Sequence, residues 1–131
     1  MKRKDVRELM MQILYQMEMQ QDYSVEVFKK AIENKNLNEN NQGYMEKIYD
    51  IVTEQKEGID NTIKANLKEW TMDRVSKVDL SILRLAVCEI LHIEDIPSNV
   101  SINEAVELAK KFSDDQAPKF INGVLGNVKN D

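Results

Sequence analysis

Apolar residues recur at helical spacing along nearly the whole chain. Val6, Met10, Ile13, Leu14 and Met17 follow one another at steps of four, three, one and three, which puts them on one stripe and predicts a helix over 4–20. Val25, Phe28, Ala31 and Ile32 form a second, shorter stripe, with Ser24 placed to cap it. The asparagine-rich run from Asn34 to Gly43 reads as a loop, because these side chains compete for backbone hydrogen bonds. Tyr44, Ile48, Ile51 and Val52 predict a third helix ending near Gly58, and Ile59, Ile63, Asn66, Leu67 and Trp70 carry the period into a fourth. Val75, Val78, Ile82, Leu85, Ala86, Glu89, Ile90 and Ile93 make a stripe wide enough for a central, buried helix. A sixth helix starts after Pro97, where Ser101 and Glu104 have capping-box spacing, and buries Ala105, Leu108, Ala109 and Phe112. A seventh offers Ala117, Phe120, Ile121, Val124, Leu125 and Val128, with Gly123 and Gly126 leaving room for close approach of another element.

This pattern predicts an all-α fold: one domain over 1–131, with about seven helices in two packed bundles. An amino-terminal three-helix bundle (1–57) shares a core with a carboxy-terminal four-helix bundle (58–131). Only four glycines and two prolines occur in 131 residues, too few to punctuate a turn-rich β fold. Hydrophobic residues at 42% and charged residues at 31% suit a folded globular chain. The most apolar stretch, Val78 to Ile93, is interrupted by Asp79, Arg84, Glu89 and His92, so no membrane span is expected. No secretory leader is legible, and a single cysteine, Cys88, fits a reducing cytoplasm.

Charge and missing motifs narrow the function. The chain is acidic overall, at −5, yet Lys2, Arg3, Lys4 and Arg7 outnumber Asp5 and Glu8 at its start, whereas acids dominate from Glu89 to Asp115. Phosphate loops, dinucleotide fingerprints, zincin motifs and nucleophile elbows are all absent, so neither an enzyme nor a cofactor is expected. One histidine and one cysteine leave no ligand set for structural zinc. His92 reads as a surface or capping residue, and Asp114-Asp115 as acids at a helix start. What remains is nucleic acid, with flexible cations reaching phosphates and Tyr15, Phe112 and Phe120 as possible stacking faces that could equally be core.

Ordered strings then carry a resemblance over nearly the whole chain. They are Arg7-Glu8, Ile13-Leu-Tyr-Gln16 with Glu18, and the run from Trp70 to Glu89 with its Ile82-Leu-Arg84 motif. Asp95-Ile-Pro97, Ile102-Asn-Glu-Ala-Val-Glu-Leu-Ala-Lys110 and Lys119-Phe-Ile-Asn-Gly-Val-Leu125 follow. Together they resemble the NusB family of bacterial transcription antitermination factors. The resemblance implies binding of single-stranded boxA RNA together with the ribosomal protein NusE, within an RNA polymerase antitermination complex on ribosomal RNA operons. It implies RNA-binding roles for Lys2, Arg3, Lys4, Arg7, Tyr15, Asp79, Arg84, Phe112, Lys119 and Phe120, with the arginine-rich start of the family diluted here by Asp5. It leaves monomer and homodimer open. The competing reading is a helical protein-interaction scaffold with no direct RNA contact, its acidic carboxy-terminal bundle doing the recognition.

Overall fold

A computed structural model describes residues 1–68 and 71–128. Seven α-helices are found among them: α1 (Arg3–Gln20), α2 (Val25–Ile32), α3 (Glu39–Glu54), α4 (Lys56–Ala65), α5 (Lys77–His92), α6 (Ser98–Phe112) and α7 (Ala117–Leu125), with one 3-10 turn at Met72–Arg74. Trp70, assigned by periodicity to the fourth helix, lies outside the described residues. The wide stripe on α5 has the expected outcome, since every residue from Asp79 to Ile90 is buried. Helices α1, α3, α4, α6 and α7 all pack against it. Their buried side chains form one continuous cluster that includes Met10, Met17, Met45, Ile63, Leu83 and Ile121. No helix of the described residues is long and apolar enough to cross a membrane.

Several boundaries differ from the pattern-based expectation, each for a local reason. The asparagine run is not all loop: Asn38 caps α3 by accepting from the Asn41 amide at 2.8 Å, so Asn40, Asn41 and Gly43 lie inside the helix. Arg3 rewards that arrangement, donating to the Asn40 and Asn41 side-chain oxygens at 2.8 and 3.2 Å. The break between α3 and α4 falls at Gln55, and Gly58 sits within α4. Helix α6 does begin after Pro97, but the capping box does not form. Ser101 lies a turn inside the helix and donates to the buried Glu89 carboxylate at 2.7 Å. Gly123 gives no close helix contact either: a Cβ there would meet nothing within 4 Å, because the residue faces outward from α7. Ser24 caps α2 as expected, accepting from Val27.

Candidate nucleic-acid interface

Four chain segments meet at the start of α5. Ser76 caps that helix, its oxygen accepting from the Asp79 amide at 3.1 Å. The Asp79 carboxylate is buried in the first turn and accepts from Ser113 at 2.7 Å, which ties the end of α6 to the beginning of α5. Asp114 turns the chain into α7 by accepting from the amides of Gln116 and Ala117, both at 3.0 Å. An open groove of about 620 Å³ results, with Arg74, Ser76 and Asp79 on one side and Asp114, Lys119 and Phe120 on the other. Lys119 is exposed, and Phe120 is half-buried against the core with the rest of its ring toward the groove. Burial raises the Asp79 carboxyl above its ordinary range; hydrogen bonds from Ser113 and Ser76 oppose this, and the Asp114 charge adds to it.

Two ion pairs tie the elements that border this groove to α1. Phe112 is half-buried and directly precedes Ser113, while its other neighbour, Lys111, reaches across to Glu8 of α1 at 2.8 Å and lies over the Phe112 ring at 5.4 Å. Tyr15, also half-buried, shares a face of α1 with Glu8, seven residues away and therefore nearly in register after two turns. Lys77, at the first position of α5, pairs with Glu18 of α1 at 3.5 Å. At the far end Lys4 borders the cleft between α1 and α6, beside Glu104 and Glu107. Phe112 adjoins Ser113, Lys119 and Phe120 line the groove, and Lys4 and Tyr15 lie on α1 on either side of Glu8, which Lys111 holds. Lys2 is exposed beyond Lys4, at the cap of α1.

Two of the arginines implied by the resemblance do not reach this surface. Arg84 is 4% exposed and holds Asp60 with paired bonds of 2.8 and 2.9 Å, Glu18 at 2.6 Å and the Tyr23 hydroxyl oxygen at 2.9 Å. Arg7 is likewise buried, donating to Glu89 at 2.8 Å with Glu104 at 3.7 Å. Glu89 also accepts from Tyr44 and Ser101, so every buried polar atom of this cluster is satisfied. The expectation that Arg7 and Arg84 contact RNA is corrected accordingly: their guanidinium groups are consumed by carboxylates on other helices, and their work is to join α1 and α4 to α5. Arg3 is intermediate, bound by Asn40 and Asn41 and stacked 4.3 Å over the Tyr44 ring. Lys77, Lys111 and Arg74 also border this surface, and no sequence motif marks them. Only the adjacency of Lys111 to Phe112 could have flagged one of them.

The Arg84 cluster has a pH signature. Burial alone would raise the Glu18 carboxyl, but hydrogen bonds from Arg84 and Tyr23 and the charges of Arg84 and Lys77 outweigh it and hold the group at about 2. A carboxyl lowered on folding from its ordinary 4.5 contributes stability that is complete above about that pH and is lost as pH falls toward 2. Asp79, raised on folding, carries the opposite sign and offsets part of the loss. Thermal denaturation from pH 5 downward should therefore show a falling melting temperature in the native protein, and Glu18→Gln should flatten that acid limb while lowering stability at neutral pH.

Comparison with known proteins agrees with this architecture. The NusB family model matches residues 4–130. The transcription antitermination protein NusB of Clostridium novyi is 44% identical over 130 residues, covering 98% of both chains. That of Acetivibrio thermocellus is 46% identical over 128 residues, covering 98% of this chain and 88% of its own. Among solved structures, T. maritima NusB superposes with a TM-score of 0.90 at 29% identity, covering 98% of this chain and 90% of that one. A NusB chain solved with NusE in complex with double-stranded RNA superposes with a TM-score of 0.86 at 31% identity, covering 96% and 94%. Sequence strings, helix order and whole-chain superposition converge, and the chain belongs to the NusB family.

Proposed function

We propose that this protein is an antitermination factor that binds single-stranded boxA-type RNA along the path from Phe120 to Tyr15, acting in the cytoplasm with NusE in an RNA polymerase complex on ribosomal RNA operons. The observation that carries the reading is the groove in which Phe120, Lys119 and Asp79 stand together. A half-exposed ring offers a face to a splayed base and an ammonium holds a phosphate, while the buried Asp79 carboxylate, held by Ser113 at the groove wall, adds a negative charge that repels misplaced phosphates. The relatives' antitermination role supports the assignment, and the solved NusB–NusE complex with double-stranded RNA supports NusE and RNA as partners. Base stacking on Phe120, Phe112 and Tyr15 requires unpaired bases, since a duplex keeps its bases stacked on one another. The exposed acids that follow the central helix, Glu94, Asp95, Glu107, Asp114 and Asp115, suit a basic ribosomal partner.

Titration of labelled boxA-type RNA, a scrambled strand and a boxA duplex, with and without NusE, tests the reading. The unpaired boxA strand should bind tightest, and more tightly with NusE present. With Arg7 withdrawn into the core, Lys2, Lys4 and Lys119 are the cations proposed for phosphate contact, so log K should fall against log salt with a slope of roughly −2, at about 0.7 per contact. Replacing Lys2 and Lys4 by alanine should bring that slope to about −0.7. A salt-independent affinity, or equal affinity for boxA and scrambled strands, contradicts the proposal. Capture of NusE without any RNA binding would point instead to a protein-interaction scaffold.

A further inference from the structure

A second groove, which the path just described does not use, lies between α1 and α2. It encloses about 570 Å³, and six of its ten lining residues are polar or charged. Gln12, Gln16 and Gln20 form one wall, four residues apart, so their amides rise along α1 in steps of about 6 Å. All three are exposed, and none hydrogen-bonds through its side chain to any described residue. Lys30 and Lys35 stand on the opposite wall with Glu33 between them in sequence, and neither lysine is ion-paired among the described residues. The floor is narrow and apolar, with Ile13 buried and Leu9, Val27 and Ala31 half-buried.

We infer that this groove is an extension site for unpaired RNA, in which Gln12, Gln16 and Gln20 pair with successive base edges while Lys30 and Lys35 hold phosphates. The inference rests on the reading of the Phe120–Tyr15 path as the RNA surface. Its first support is chemical. A free glutamine amide offers a donor and an acceptor side by side, the pattern that matches an adenine edge, and three in a row form a ladder. Its second support is spacing. Steps of about 6 Å are too wide for bases stacked 3.4 Å apart but fit a strand whose bases are splayed. Its third support is continuity. On the helical wheel of α1, Gln12 lies next to Tyr15 and leads from it around to Gln16 and Gln20, so a strand crossing Tyr15 is delivered to this wall. A protein helix would find here a polar wall and a thin apolar floor, a poor match for an apolar helix face.

The test compares one boxA-type RNA with the same RNA extended at either end by several unpaired adenosines, using the wild type and the triple variant Gln12→Ala, Gln16→Ala, Gln20→Ala. Alanine raises helix propensity at these exposed positions, so folding should be unimpaired, which a melting curve checks. One of the two extensions should tighten wild-type binding about tenfold, and the triple variant should lose that gain while binding the short RNA normally. Lys30→Gln with Lys35→Gln should lower the salt slope for the extended RNA alone, by roughly 1 to 1.5. An extension that gains nothing at either end, or a gain that survives the triple variant, overturns the inference while leaving the Phe120–Tyr15 path intact. Failure of the wild type to bind even the short RNA overturns the path itself, and the extension site with it.

Discussion

Glu89→Ala is expected to destabilise the protein by about 3–5 kcal/mol, the usual consequence of removing one partner from a buried ion pair. Glu89 is 1% exposed on the central helix and accepts from Arg7 on α1, Tyr44 on α3 and Ser101 on α6. Alanine would strand a desolvated guanidinium and two hydroxyls at once. A typical domain has only about 5–15 kcal/mol of stability, so the variant should approach its unfolding threshold. Urea denaturation would show this as a lower midpoint with an unchanged slope. The penalty comes chiefly from the abandoned arginine, so the double variant Arg7→Met, Glu89→Leu should cost less than Glu89→Ala alone. A loss below about 1 kcal/mol for Glu89→Ala would mean that water reaches the cluster and satisfies what is left.

Phe120→Ala is expected to weaken RNA binding by about 1–3 kcal/mol, roughly 5-fold to 150-fold in Kd. The ring divides its area between the core and the groove, so truncation should also cost some stability, less than the roughly 3–5 kcal/mol of a fully buried phenylalanine. Phe120→Leu separates the two effects, because leucine keeps apolar contact with the core and removes the flat face. It should fold nearly as well as the native protein and still bind RNA poorly. Native affinity in Phe120→Leu would show that the ring packs rather than stacks.

The helices were legible in the sequence because their evidence is periodic and local. The Val75 to Ile93 stripe, with Glu89 inside it, already marked the helix against which α1, α3, α4, α6 and α7 pack. Boundaries were less legible where side chains act at a distance. Arg3 reaches Asn40 and Asn41 across 37 and 38 residues of sequence and stabilises a helix start that composition assigns to a loop. Ser101 and Glu104 have the spacing of a cap, but the spacing cannot reveal that Glu89 waits opposite Ser101. The same limit applies to the site. Lys119 and Phe120 are adjacent in sequence and remain adjacent in the groove, whereas Arg7 and Arg84 look like surface cations until their carboxylate partners, Glu89, Glu18 and Asp60, are brought in by folding. An arginine within an apolar stripe was the available sign of burial, and Arg84 lies between Leu83 and Leu85 in the middle of one.

The most direct test of the RNA path is a map of backbone amide shifts on titrating unpaired boxA-type RNA into the isotope-labelled protein. The largest changes should fall on Ser76, Asp79, Phe112, Ser113, Lys119, Phe120 and Tyr15, with Lys2 and Lys4 following at the cap of α1. Changes confined to the outer faces of α3 and α4, around Glu46, Asp50 and Glu57, with the start of α5 and α7 undisturbed, would contradict it.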